Sequence, residues 1–114
     1  MLHDDAHLDW VRHQRRTVPL MTSVCSGSLV YAAAGLLVGR RATTHWASLN
    51  TLSELDPTIV TDVRSRFVDD GDVITSAGVS AGIDMALHLV ARLVDSERAR
   101  EVRREIQYDP RPPV

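Results

Sequence analysis

The sequence contains no lysine and a single cysteine, Cys25. One cysteine excludes an internal disulfide and any metal site built from several cysteines. All 13 basic residues are arginines, and the net charge is −2. That balance gives no electrostatic basis for binding nucleic acid or an anionic membrane.

Long hydrophobic runs are also absent. The longest apolar-rich stretch, residues 28–38, is too short to span a bilayer. The N-terminus is acidic and lacks the basic-then-apolar order of a signal peptide. We therefore expect a cytoplasmic protein. Its 114 residues, 44% of them hydrophobic and 25% charged, are typical of one small globular domain or part of one.

Strand-like and helix-like segments alternate along the chain, which predicts an α/β fold with a parallel type of sheet. The main predicted units are a helix at 4–16, an elbow strand and helix at 18–37, a last strand and long helix at 72–95, and a C-terminal helix at 97–107. Apolar positions cover most of the long helix, so we expect it to be buried on most sides. Asp4 and Asp5 are the predicted caps of the first helix, and Ser96 is that of the last. Asp70-Gly71 predicts a hairpin or tight turn.

Cys25 lies between a predicted strand and a predicted helix, with Ser23 and Gly27 on either side. These two small residues occupy the glycine positions of the strand-to-helix elbow that exposes the nucleophile of many hydrolases. The positive end of the following helix would stabilise a thiolate. The Ser26 N–H would point to where an oxyanion forms. The pattern is short, and a buried structural cysteine would fit it equally well.

Several segments together resemble the ThiJ/PfpI superfamily. They are TSVCSGS at 22–28, AAAGLL at 32–37, GRRATTHW at 39–46, TSAG at 75–78 and GIDMALHLV at 82–90. The resemblance implies a flavodoxin-like three-layer α/β sandwich with a mostly parallel sheet, forming a homodimer. It also implies a chain about twice as long, of which this would be the C-terminal portion. The first strands, and the acidic residue that faces the cysteine in this family, would then lie outside the sequence.

Residues near the cysteine indicate the isonitrile-hydratase-like branch of that superfamily. Ser26 stands where protease-like members carry histidine, and isonitrile hydratases carry a hydroxyl residue there. The resemblance therefore implies a lyase in which Cys25 and Ser26 add water to an isonitrile, giving an N-substituted formamide. Two alternatives remain open. One is the non-catalytic sensor domain of an AraC-type transcription regulator, and the other is an inert remnant.

Further site residues are weaker predictions. Gly27, His45 and Ser76 are candidates for the substrate pocket, although His45 is also explained as a structural histidine bonded to backbone. Asp84 and His88 lie one helical turn apart, which favours a polar stripe or a subunit contact over a metal site. We expect no metal and no cofactor. The expected partners are a small-molecule substrate and a second copy of the chain, without nucleic acid or membrane.

Overall fold

A computed structural model describes residues 2–114 of the chain. These residues form five helices and five short strands, which alternate as far as β3. The helices are α1 (Asp5–Thr17), α2 (Gly27–Ala33), α3 (Leu49–Leu55), α4 (Ser80–Leu93) and α5 (Ser96–Glu105). The strands are β1 (Met21–Ser23), β2 (Arg41–Ala42), β3 (Val60–Thr61), β4 (Phe67–Asp69) and β5 (Val73–Ser76). A 3-10 turn, Trp46–Ser48, leads into α3.

Strand β5 lies at the centre of a three-stranded sheet in the order β1-β5-β4. It runs parallel to β1, with Ser23 opposite Thr75, and antiparallel to β4. Strands β2 and β3 form a separate parallel pair. All four residues of β5 are buried, as expected for a central strand covered on both faces. The predicted α/β class with a mostly parallel sheet is confirmed.

The main hydrophobic core lies between α2, α3 and the strands. Leu37 and Leu52 are fully buried there, and they pack with Leu29, Ile59 and Val73. This core fixes the end of α2 and thus holds the segment that follows Cys25.

Helix α4 corrects one expectation. Only Ala81 and Met85 are buried on it, whereas Ile83 is 39% exposed and Leu93 65% exposed. Within residues 2–114, α4 packs against β4, β5 and α5, which cover only part of its apolar surface. The prediction that α4 is buried on most sides is therefore wrong for the described residues, although apolar side chains cover most of the helix.

The caps of the helices are partly as predicted. The Asp4 side chain accepts from the His7 N–H and caps α1. Ser96 is not the cap of α5. Asp95 takes that position and accepts from the Arg98 N–H at 2.7 Å, so that Ser96 is the first residue of the helix. Aspartate and serine are both good N-caps, and the sequence offered them side by side. No helix among the described residues has the length and hydropathy needed to cross a bilayer.

Acidic side chains of the β4–β5 hairpin bind basic side chains from three other elements. Asp72 accepts hydrogen bonds from Arg15 of α1 and, at 2.6 Å, from Arg40. Asp69 pairs with His88 of α4 at 2.7 Å. We call the full set the hairpin cluster; it consists of Asp69, Asp70, Asp72, Arg15, Arg40, Arg41, His88 and Arg92. The cluster ties α1, β2 and α4 to one turn.

Candidate functional site

Cys25 lies in the turn between β1 and α2 in a left-handed backbone conformation, with φ of 55°. A non-glycine residue rarely adopts this conformation, because its Cβ approaches the neighbouring carbonyl oxygen. The thiol is free and half-buried. Strained residues of this kind collect at functional sites, where surrounding contacts hold them in place. The expected elbow is thus present in the backbone.

Hydrogen bonds from two neighbouring segments hold the elbow. The Cys25 N–H donates to the Ala77 carbonyl at 3.3 Å, and the Thr44 hydroxyl donates to the Cys25 carbonyl at 3.0 Å. On the other side, the Tyr31 hydroxyl of α2 reaches back and donates to the Thr22 carbonyl of β1. Both backbone groups of Cys25 are therefore satisfied, which fixes the direction of its side chain.

Ser26 and Gly27 complete the turn. Ser26 is exposed, and its N–H has no acceptor among residues 2–114, which leaves that donor free as an oxyanion ligand would require. The Gly27 N–H donates to the Val24 carbonyl at 2.9 Å. A Cβ on Gly27 would lie 3.4 Å from the Cβ of Ser23, so the turn and the end of β1 approach each other at van der Waals distance.

Behind the elbow, buried hydroxyl groups connect the strands. The Ser28 hydroxyl donates to the Thr43 carbonyl at 2.8 Å, and the Thr43 N–H donates to the Thr75 hydroxyl oxygen at 2.9 Å. The Thr43 hydroxyl in turn donates to the Asp62 carbonyl at 2.8 Å. Buried polar groups that are satisfied in this way rigidify their surroundings. The elbow thus stands on a rigid base.

A cavity of about 370 Å³ opens beside the elbow. Thr44 and Ala77, which bond the backbone of Cys25, both belong to its wall, although Cys25 itself does not. Its volume is within the range of small-molecule sites. The wall consists of Thr43, Thr44, His45, Trp46, Leu49, Val63, Arg64, Ser65, Arg66, Ala77, Gly78, Val79 and Ala81.

His45 has a fixed position in this wall. Its Nδ1 accepts the Ala47 N–H at 3.1 Å, so a neutral ring carries its hydrogen on Nε2. The ring lies against Gly78: a Cβ added there would be 2.6 Å from Cδ2 of His45. The ring also packs on Trp46, with centroids 5.4 Å apart. His45 is therefore bonded to backbone, as a structural histidine would be, and it also lines the cavity.

A second strained residue stands at the rim. Val79 precedes α4 with φ of 31° and ψ of −85°, and it is 84% exposed. Positive φ is unusual for a β-branched residue. Both chain segments that turn at this end of the sheet, at Cys25 and at Val79, therefore carry backbone strain.

The other predicted residues are placed elsewhere. Ser76 is fully buried within β5, and its hydroxyl donates to the Ser23 carbonyl at 3.3 Å, so it is outside the cavity wall. Asp84 binds Arg66 and accepts from the Tyr108 hydroxyl at 2.5 Å, whereas His88 binds Asp69. They do not form a joint site, and no group of three potential metal ligands occurs in residues 2–114.

Sequence reasoning did not assign roles to Thr44 and Gly78. Both lie inside segments that resemble the ThiJ/PfpI superfamily. However, the hydrogen bond of Thr44 to Cys25 and the packing of His45 on Gly78 join segments that are distant in the sequence. The sequence did offer one indication for Gly78: a small residue directly follows the last strand, where another side chain, such as that of His45, can pack closely.

The chain is similar in sequence and fold to several known proteins. The model of the DJ-1/PfpI family matches residues 1–92. The chain is 45% identical to an isonitrile hydratase of Pseudomonas putida over 113 residues, which are 99% of the chain and 48% of that protein. It is 38% identical to the HTH-type transcriptional regulator CdhR of Pseudomonas aeruginosa over 97 residues, 85% of the chain and 29% of the regulator.

A solved structure gives the same picture. A ThiJ/PfpI family protein from Pseudomonas syringae superimposes with a TM-score of 0.90 at 38% identity, and the match covers 99% of this chain and 46% of that one. The chain therefore spans about half the length of the hydratase and of this structural relative, and less than a third of the regulator.

Proposed function

The chain belongs to the DJ-1/PfpI family, and on that premise we propose that it carries the nucleophile of an isonitrile-hydratase-like enzyme. In this proposal Cys25 is the nucleophile and Ser26 assists it. The substrate is an isonitrile and the product an N-substituted formamide. The observation that carries the proposal is the left-handed conformation of Cys25, held by Thr44 and Ala77 beside a cavity.

The proposed reaction begins with the Cys25 thiolate. Its sulfur attacks the terminal carbon of the isonitrile, which takes up a proton and gives a thioimidate bound to the enzyme. Water then adds across the C=N bond, its oxygen going to the carbon and one proton to the nitrogen. The C–S bond breaks and the thiolate leaves with its electron pair, while the added hydroxyl loses its proton to form the C=O of the released formamide; this returns the proton taken up in the first step. In sum, one water is added to one isonitrile.

Ser26 supports these steps in two ways. Its N–H has no acceptor within residues 2–114 and is available to stabilise negative charge that develops during attack. Its hydroxyl is exposed, and in this proposal it steers the water. Proton transfer needs another group, because the described cavity wall contains no aspartate or glutamate. We propose that a segment corresponding to the rest of the hydratase supplies this acid.

The test is an assay of isonitrile consumption and formamide formation. The chain is assayed alone and together with the corresponding remaining segment of the hydratase relative. We expect formamide to form in the combined sample and to be abolished by Cys25→Ala. Ser26→Ala should retain part of the activity, and Ser26→Thr, which keeps the hydroxyl, should retain most of it. Formamide production that survives Cys25→Ala would refute the proposal.

A second function is favoured by the similarity to the transcriptional regulator CdhR. In that case the same cavity binds an effector without chemistry, and Cys25 only holds the wall residues Thr44 and Ala77 through its backbone. Ligand binding measured by calorimetry separates the two functions. A sensor would bind its ligand equally well with Cys25→Ala and would give no turnover, whereas a hydratase would lose product formation.

Two further expectations stay proposals. One is that residues 1–114 form part of a larger ThiJ/PfpI domain, with the elbow at 18–37, the last strand and long helix at 72–95, and the last helix at 97–107. The other is that the functional form is a homodimer. Analytical ultracentrifugation of the chain, with and without the complementary segment, tests both, because assembly would require the larger domain to be complete.

A further inference from the structure

The charged groups in the cavity wall have one sign. Arg64 and Arg66 line it together with His45, and none of the 13 wall residues is acidic. This contrasts with the whole chain, whose net charge is −2. A local excess of positive charge in a concave site concentrates anions there.

The two arginines differ in their partners. Arg66 binds the Asp84 carboxylate and donates to the Ser80 hydroxyl oxygen at 3.0 Å, so its charge is largely compensated. The Arg64 side chain makes no ion pair and no hydrogen bond within the described part of the chain. Its guanidinium is therefore the unpaired charge of the wall.

The backbone that carries Arg64 is nevertheless well ordered. One carboxylate oxygen of Asp62 accepts the N–H groups of Arg64 at 2.9 Å and of Ser65 at 2.8 Å. Hydrogen bonds from Ser65 and Arg64 hold the pKa of Asp62 below its usual value, so the ionised carboxylate that holds the turn persists to lower pH than in a free aspartate. The free guanidinium is thus presented from a fixed turn, which lowers the entropic cost of binding.

We propose that Arg64 selects ligands carrying a carboxylate, with the Nε2–H of His45 as a second donor. This inference deepens the proposed function, since it takes the cavity as the substrate site. The preferred substrate class is then an isonitrile whose side chain bears a carboxylate. A guanidinium binds such a group through two parallel N–H···O bonds, which a neutral ester cannot match in strength.

The test uses product analogues, so that it does not depend on turnover. N-formylglycinate is compared with its neutral methyl ester, and binding is followed by Trp46 fluorescence in a Trp10→Phe background. We expect the carboxylate to bind about fivefold more tightly than the ester, as is typical of a partly exposed ion pair. The preference should shrink as ionic strength rises.

Three variants make the result specific. Arg64→Gln should bring the ratio of the carboxylate affinity to the ester affinity close to one. Arg64→Lys should keep part of the preference for the carboxylate. Arg16→Gln, which removes an exposed arginine outside the cavity wall, should leave it unchanged. The inference is overturned if the ester binds as tightly as the carboxylate, if neither ligand binds saturably, if the preference survives Arg64→Gln, or if Arg16→Gln lowers it equally.

This outcome is separable from that of the hydratase proposal. Carboxylate-selective binding without any isonitrile turnover in the combined sample would support the role of Arg64 and count against the hydratase. Turnover of neutral isonitriles without any preference for carboxylate ligands would support the hydratase and count against the role of Arg64.

Discussion

The Thr44 hydroxyl donates to the carbonyl oxygen of Cys25 at 3.0 Å, joining residues 19 positions apart. Thr44 is 1% exposed and follows the short strand β2, so the bond is shielded from water. It links the loop that carries His45 to the turn that carries the cysteine. One hydroxyl thereby couples Cys25 to the cavity wall.

Thr44→Val tests this link. Valine has the same shape but no hydroxyl, which leaves the Cys25 carbonyl without this partner. We expect the free energy of unfolding to fall by about 1–3 kcal/mol, measured by urea denaturation. Thr44→Ser keeps the donor and should lose less. Equal losses in the two variants would mean that packing of the methyl group, and not the hydrogen bond, is the source of the stability.

Gly78→Ala should displace the His45 ring, because the new Cβ would lie 2.6 Å from Cδ2. Overpacking of this kind typically costs about 1–3 kcal/mol. The measurement is a double-mutant cycle with His45→Ala, in which urea denaturation gives the free energy of unfolding of each variant. In the His45→Ala background, Gly78→Ala should cost close to nothing since the clash is gone. An unchanged cost there would contradict the contact.

Backbone strain at Cys25 predicts an unusual order of stability. At φ of 55° glycine is free of the steric cost that alanine bears. Cys25→Gly should therefore be more stable than Cys25→Ala by about 1 kcal/mol. Arg100, an exposed residue inside helix α5, is the control. There the glycine variant should be less stable than the alanine variant. The same order at both positions would argue against local strain.

Acid sensitivity should depend on Asp72. Hydrogen bonds from Arg40, and then from Arg15, hold the pKa of this carboxyl below its usual value, against a smaller opposing effect of burial. The folded-state pKa is thus below that of the unfolded chain. The stabilisation is complete above the unfolded value, about 3.9, and is lost as the pH falls through the folded value.

The measurement is the free energy of unfolding as a function of pH, for the wild type and for Asp72→Asn. The variant should be less stable at pH 7 and should lose less stability between neutral and acidic pH. Glu105→Gln is the control, because Glu105 makes no ion pair within residues 2–114. A wild-type slope retained in Asp72→Asn would assign the acid sensitivity to other carboxylates.

Much of the fold was accessible from the sequence because local signals agreed with one another. Asp4 predicted the start of α1, and Asp70-Gly71 predicted the β4–β5 turn, where Gly71 has φ of 91°. What failed depended on tertiary contacts. The exposure of α4 is decided by which elements lie beside it, and periodicity alone does not report that. The choice of Asp95 over Ser96 as a cap depended on the backbone path between α4 and α5.

The site was predictable to a different degree. The elbow itself has a contiguous pattern, so the turn at Cys25 was placed correctly in the chain. Its supports were not predictable, because Thr44 and Ala77 approach Cys25 from other strands. Ser76 illustrates the limit. Sequence order put it at the end of the last strand near the site, but the strand pairing turns its hydroxyl towards the carbonyl of Ser23.

The hairpin cluster has a practical consequence for engineering. An Asp-Gly turn on the surface is an ordinary choice for inserting a peptide tag or a reporter domain. Here the turn at Asp70 and Gly71 is the place where α1, β2 and α4 are fastened, through Arg15, Arg41 and His88. An insert would push these three elements apart. The exposed stretch from Pro110 onward offers an attachment point that leaves them in register.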